Sequence, residues 1–304
     1  MLIALCSVHG SLGVTTLALA LAAHWPDPAH TRRLIAEVDP AGGDLAMRLH
    51  LPTTPGLASL AAAARRQPRP EVVWEHTHAL PDGARVLLAP PGSRHTRAAL
   101  HILTSAQPQL LPAAAREPGV AVLADCGRVD PGTPAEAIAR QADALVLISG
   151  THGEDLAHTA ARLRELARWT PRPGLLLTGD GYPTAEVERE LGVPTIGRLP
   201  HDPAAAAALT AHRPPPARRR RNGGLARHVA ALALTLATST SAVPSPTAAD
   251  TSTAEAPSAD SRVRGSAPAH PCRADLAPGR NQSPVGELSG GGSPSPSTGT
   301  EPRR

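Results

Sequence analysis

"SVHGSLGVTTL", from Ser7 to Leu17, joins an apolar run, LIALCSV (Leu2 to Val8), to an apolar-periodic one, TTLALALAAHW (Thr15 to Trp25). Two glycines three residues apart, Gly10 and Gly13, then Thr15 and Thr16, give the outline of a phosphate-gripping loop between a strand and a helix. In such a loop a lysine follows the second glycine and reaches the terminal phosphates, but here that position is Val14. No lysine occurs anywhere in the chain, so all 30 of its formally cationic residues are arginines. Neither a distant segment nor an identical subunit can therefore supply the missing ammonium.

Composition bounds what surrounds this loop. The chain has 304 residues, 41% of them hydrophobic, enough for one sizeable core. Leu, Val and Ile lie almost entirely before residue 237 or so. Ser239 to Arg304 is rich in Ser, Thr, Pro, Gly and Ala without hydrophobic periodicity, a composition that does not offset the entropy of ordering and reads as a disordered tail. Wide use of Ala, Arg, Pro and Gly fits a GC-rich coding sequence, so the formal charge of +4 is no sign of nucleic acid by itself. Cys6, Cys126 and Cys272 are far apart and lack metal-ligand spacing, which fits a reducing compartment. The first two read as buried, inert thiols. EHTH, Glu75 to His78, reads as a solvated face alternating along a strand rather than a zinc site. LGVTTLALALAA has the apolar core of a secretory signal but no preceding basic residue. No run reaches the roughly 18 apolar residues of a membrane span, so the expected location is cytoplasmic.

Apolar strand-like runs recur with helical patterns between them. The strands expected are Leu2 to Val8, Leu34 to Val38, Val86 to Ala89, Val120 to Ala124, Ala144 to Ser149, Gly174 to Thr178 and Thr195 to Arg198. Such alternation predicts an α/β fold: a mostly parallel sheet, helices on both faces, and a ligand crevice at the carboxyl ends of the strands. Those ends carry HGSLGVTT, EVDPAGGD, DCGRVDPGTP and LPHDP. Single turns of this composition are ordinary; acidic or glycine-rich turns at the same end of several strands point to a site. A dinucleotide-binding Rossmann domain is the weaker alternative, because G-x-G-x-x-G is absent and Thr15, Thr16 and DCG have no role in it.

The order of these motifs resembles the ParA/MinD family of deviant Walker A ATPases, which partition DNA or position division, secretion and polar machinery. The resemblance covers roughly residues 1–213 and implies a P-loop NTPase architecture. The family loop K-G-G-x-G-K-T-T is matched by His9, Gly10, Ser11, Leu12, Gly13, Val14, Thr15 and Thr16, with His9 and Val14 in place of both lysines. By this resemblance residues 10–16 cradle the phosphates of ATP, and Thr15, Asp39 and Asp125 hold Mg²⁺ and its waters. Asp39 and Asp125 also position the attacking water, while Glu37 replaces the first aspartate of D-x-D-P-Q-G. Pro200 and Asp202 fall in the loop beside the base. The asparagine that reads adenine is replaced by Thr178 and Asp180, which leaves the base open. His9 occupies the position of a lysine that reaches a partner subunit's nucleotide; it reads either as that contact or as a plain loop histidine.

A homodimer, a protein partner from partition or polar machinery, and nucleoid or membrane association are also implied. Loss of the lysine charge predicts weak or absent hydrolysis; a nucleotide-free pseudo-ATPase scaffold is the alternative. Residues 214–238 read as an arginine-rich linker and a final helix. Arg218, Arg219, Arg220 and Arg221 form a solvated turn, a sequence-insensitive DNA contact or part of a basic helix on anionic lipid. Because residues 239–304 have almost nothing apolar to bury, truncation after Thr238 is expected to leave the melting temperature within about 2 °C of the full chain. A scanning-calorimetry comparison that finds a loss of several degrees shows that the tail packs.

Overall fold

The computed structural model describes residues 1–10, 12–210 and 224–238. Ser11, the Arg218 to Arg221 cluster and the tail from residue 239 lie outside the described residues. The strands are β1 (Leu2–Ser7), β2 (Arg32–Glu37), β3 (His78–Ala79), β4 (Arg85–Leu87), β5 (Val120–Arg128), β6 (Ala144–Gly150), β7 (Pro173–Thr178) and β8 (Thr195–Leu199). They form one sheet in the order β3-β4-β2-β5-β1-β6-β7-β8, parallel throughout except for the β3–β4 pair. β1 is central, and the chain builds first to one side of it and then to the other. Its carboxyl end is therefore a topological switch point, where open α/β sheets form their crevices.

Strand alternation divides the core. Leu2, Ala4, Cys6, Leu34, Ala36, Val122 and Ala124 face one side. There they meet α3 (Leu57–Ala64), α4 (Val72–Glu75), α5 (Ser93–Ser105), α6 (Leu110–Ala115), α7 (Pro134–Ala139), α8 (Gly153–Leu166) and α9 (Thr184–Leu191). Ile3, Leu5, Ile35, Leu123 and Val146 face the other, under α1 (Val14–Ala23), α2 (Leu45–Leu49), α10 (Pro203–Thr210) and α11 (Gly224–Thr238). α1 is apolar all round, as a helix enclosed on every side must be. It lies on β2 and β5 and is covered by α10 and α11.

Two local expectations are corrected. EHTH is not a strand with a solvated face: Glu75 ends α4, Thr77 is buried with its hydroxyl on the Trp74 carbonyl at 2.8 Å, and only His78 enters β3. His76 is also engaged, with Nδ1 2.8 Å from the Ser59 hydroxyl. The short period-2 pattern was overridden by side chain–backbone bonds that close a turn. The fourth expected strand is longer than its apolar run and continues to Arg128, so Asp125 lies within β5 rather than after it. No helix among the described residues is long and apolar enough to cross a membrane.

Candidate nucleotide site

The loop leaves β1 where the β1–β5 register shifts, between Leu5 and Ser7. Gly13 takes a left-handed conformation (φ 85°) and α1 begins at Val14. The Val14 side chain is 6% exposed and sits in the apolar cluster with Leu17 and Ala18. Its peptide, not its side chain, is the part available to an anion at this helix N-terminus. Thr15 hydrogen-bonds the Asp125 carboxylate. Leu12, Gly13 and Thr16 line a neighbouring cleft.

Asp125 and Glu37 are register partners on adjacent parallel strands, so two carboxylates stand abreast at the carboxyl edge of the sheet. Both are buried. Glu37 Oε1 accepts the N–H groups of Asp44 and Leu45 at 2.7 and 2.9 Å, and Oε2 accepts that of Ala89 at 2.9 Å. One side chain thus holds the start of α2, the loop before it and the segment that follows β4. Burial nonetheless pushes the Glu37 carboxyl up from its ordinary value, against the lowering effect of those three bonds. Asp125 is pushed up to about 7, chiefly by burial; the Thr15 hydroxyl and the Gly127 N–H oppose the shift, and the charges of Glu37 and Asp39 add to it.

Asp39 completes the group. Its Oδ1 accepts the Ala41 N–H at 2.8 Å, closing a local turn, and burial raises its carboxyl. A Cβ on Gly127 would come within 1.8 Å of Asp39 Oδ2, and Gly127 has φ 57°. Only glycine admits Asp39 to this position against β5.

His9 is engaged within its own chain. Nδ1 lies 2.6 Å from Asp155 Oδ1 in the first turn of α8, and the ring stacks on His158 with centroids 5.0 Å apart. The imidazole remains 44% exposed.

Beside the acidic group, a cleft of about 610 Å³ opens at the carboxyl ends of β6, β7 and β8. Its walls are the loop and α1, Thr151 and His152 after β6, Thr178–Gly181 after β7, Pro200, His201 and Asp202 after β8, and Leu225 and Val229 of α11. A cavity of this size accepts a nucleoside. The structure therefore brings Gly13, Thr16, Pro200 and Asp202 to one cleft and groups Thr15, Asp39 and Asp125 beside it. Asp202 has a structural task as well, since Oδ1 accepts the Ala205 N–H at 2.9 Å at the start of α10. Sequence reasoning passed over Asp155, His152 and Thr151. The polar stretch GTHGED after β6 carried the same strand-end signal as the turns that were singled out.

No protein-family model and no curated protein sequence matches the chain. Solved structures do match in fold. A ParA family ATPase from Chlorobium tepidum TLS superimposes with a TM-score of 0.63 at 16% identity, covering 77% of this chain and 98% of its own. The cell division ATPase MinD from Pyrococcus furiosus gives 0.62 at 18%, covering 78% and 98%. MinD from Pyrococcus horikoshii, complexed with Mg-ADP, gives 0.58 at 16%, covering 77% and 95%. This chain has the ParA/MinD fold. Its similarity to ParA and MinD extends over nearly the full length of those chains.

Two outcomes follow from the carboxylates. Glu37→Ala leaves two buried N–H groups and one partly buried one without their acceptor and is expected to cost about 3 kcal/mol in urea unfolding. Glu37→Gln keeps an acceptor for Asp44 and Leu45 but turns an amide N–H₂ toward Ala89, so its cost is expected to be smaller and still above 1 kcal/mol, an order-of-magnitude value. For Asp125, a folded pKa near 7 against 3.8 unfolded means that the folded state binds more protons between those values. Stability from this group is present below about pH 4, falls as the pH rises to about 7 and stays low above. Asp125→Asn is therefore expected to melt several degrees above wild type at pH 8, with the gap closing near pH 4. A pH-independent gap in melting temperature refutes the assignment.

Proposed function

We propose that the protein is a ParA/MinD-like nucleotide-binding switch for partitioning or positioning, slow or inactive in hydrolysis. The observation that carries this reading is the placement of a nucleoside-sized cleft against the loop, with the Thr15–Asp125 pair at its side. The peptide N–H groups of residues 10–15 and the N-terminus of α1 take up the phosphates. ATP is the nucleotide the resemblance implies, and Mg²⁺ supplies charge neutralisation at those phosphates when bound. Among the described residues no three His, Cys, Asp or Glu are grouped to hold a metal ion directly. The donor set fits a Mg²⁺ bound through the Thr15 hydroxyl, phosphate oxygens and waters, the waters held by Asp39 and Asp125. A cation there also favours the charged form of both carboxyls, which burial holds above their ordinary values.

The missing ammonium sets the rate. Losing one preorganised contact to the charge that grows in phosphoryl transfer costs about 3–4 kcal/mol in the transition state, roughly 100- to 1,000-fold. His9 does not replace it in this arrangement, because its imidazole is paired with Asp155 of the same chain. The switch then works through occupancy: a bound nucleotide and Mg²⁺ fix the loop after β2, which carries Asp39 and the start of α2, and that surface meets a second copy or a partner of the positioned machinery. The proposed location is cytoplasmic, with nucleoid or membrane contact by the arginine cluster.

The burial of Val14 favours a second reading, a scaffold without nucleotide, because the lysine position has been absorbed into the apolar core. Val14→Lys separates the two. Its stem can lie where valine does and its ammonium reach the loop, so binding of MgATP or MgGTP is expected to tighten about 10- to 100-fold by titration calorimetry. If neither wild type nor Val14→Lys binds either nucleotide, the scaffold reading holds. Wild-type hydrolysis at the pace of lysine-bearing relatives refutes the account of the loop.

A further inference from the structure

We propose that the groove between α3 and α5 docks an acidic peptide segment of a protein partner, one that sets an aliphatic side chain between carboxylates. The groove lies on the face of the sheet opposite α1. The inference therefore stands apart from the reading of the cleft as a nucleotide site.

Sequence sets up the charge. Between Asp44 and Glu71, and again between Asp82 and Glu117, the chain has no acidic residue. The first stretch supplies α3 and, just past its end, Arg65 and Arg66; the second supplies α5. α5 buries Thr96, Ala99, Leu100 and Leu103 and leaves Arg94, Arg97, Ala98 and His101 exposed, one face at helical spacing. Arg65, Arg66, Arg94 and Arg97 have no side-chain hydrogen bond or ion pair among the described residues, and neither Glu71 nor Glu75, the acids that follow α3, pairs with them. Elsewhere in the same layer arginines are matched: Arg140 with Glu136 at 2.8 Å, Arg162 with Glu165 at 3.1 Å and Arg189 with Glu190 at 3.2 Å. A cationic face without counter-charges repels itself and attracts a negative partner.

Shape then selects the class of partner. The groove, about 430 Å³, has an apolar lining of Ala64, Ile102 and Ala106 and a polar one of Arg65, His101 and Ser105. Ala64 belongs to the core and Ile102 packs against it, so the floor is already built, while Arg65 and His101 stand exposed at the rim. A nucleic-acid backbone would set ionised oxygens against that floor, and among the described residues no Phe, Tyr or Trp lines the groove for a base to stack on. A bilayer is met by apolar side chains that project into it, whereas here they are recessed between two helices and the arginines stand outside them. An acidic amphipathic segment satisfies both parts, with an aliphatic anchor on the floor and carboxylates on the guanidinium groups.

The test is fluorescence anisotropy of the full-length chain with a labelled glutamate-rich peptide carrying two leucines at i and i+4. Replacing both leucines by alanine is expected to weaken binding at least about fivefold, because the floor loses its anchor. Arg65→Glu/Arg97→Glu is expected to weaken binding at least about tenfold and to gain affinity for the matching lysine-rich peptide, which also shows that the variant is folded. Arg164→Glu/Arg168→Glu makes the same change of charge at exposed positions in and just after α8 and should leave binding within about twofold of wild type. No binding of the glutamate-rich peptide, indifference to its leucines, or equal losses in the two double variants overturns the proposal. Tighter binding of a DNA duplex or of phosphatidylglycerol vesicles that Arg65→Glu/Arg97→Glu abolishes also overturns it, because the face then belongs to phosphates.

Discussion

Two carboxylates side by side in the interior are the constraint around which this molecule is arranged. Glu37 and Asp125 share a register position on β2 and β5, and among the described residues neither has an arginine paired with it. Like charges at such a spacing are tolerated only if each is given donors or a proton. Glu37 receives three peptide N–H groups, from Asp44, Leu45 and Ala89, so its satisfaction requires the loop after β2 and the segment that follows β4 to close over it. Asp125 receives the Thr15 hydroxyl and the Gly127 N–H, so its satisfaction requires α1 to begin where it does. The glycine loop, the loop after β2 and the end of β5 are therefore tied to one another through side chains buried behind them. A change in the charge state of either carboxylate is felt in all three.

The far half of the cleft is built on a different principle. There the ties run from one arginine to backbone carbonyls: Arg198, on the edge strand β8, spends its guanidinium on Gly179, Tyr182 and the Thr151 hydroxyl. Arginine's planar fork suits this multiple bonding. The half near β1 can respond to protons and cations, whereas the half near β8 is a rigid wall. A nucleotide spanning both would meet adjustable charge at its phosphates and fixed geometry at its base.

Much of this was legible in the sequence because it is local. The strand and helix alternation, the glycine loop and the acidic strand ends all depend on a few consecutive residues, and the expected parallel sheet is the one observed. What was not legible depends on closure. Glu37 looked like a degraded aspartate, and its three N–H partners lie 7, 8 and 52 residues away. His9 looked free to reach outward, but its partner Asp155 is 146 residues on. Val14 looked like a missing function, and only packing shows that its side chain belongs to the core. The β3–β4 hairpin was not read because β3 is two residues long, and the histidines in and before it are engaged with distant groups, His76 with the Ser59 hydroxyl and His78 with the Pro55 carbonyl.

The absence of lysine then acquires a positive meaning. In a loop with a lysine, a fixed charge offsets both the phosphates and the carboxylates behind them. Here Glu37, Asp39 and Asp125 are all held above their ordinary values, and the nearest cation acting on Asp39 is Arg128, itself paired with Asp130 at 2.8 Å. An incoming polyphosphate adds negative charge beside carboxyls that burial already holds above their ordinary values. The apolar surroundings of Val14 cannot offset that addition, whereas a proton or a divalent cation can. On the proposed reading, occupancy of such a site would depend on Mg²⁺ and pH together with nucleotide concentration, as suits a sensor of binding more than a catalyst of turnover.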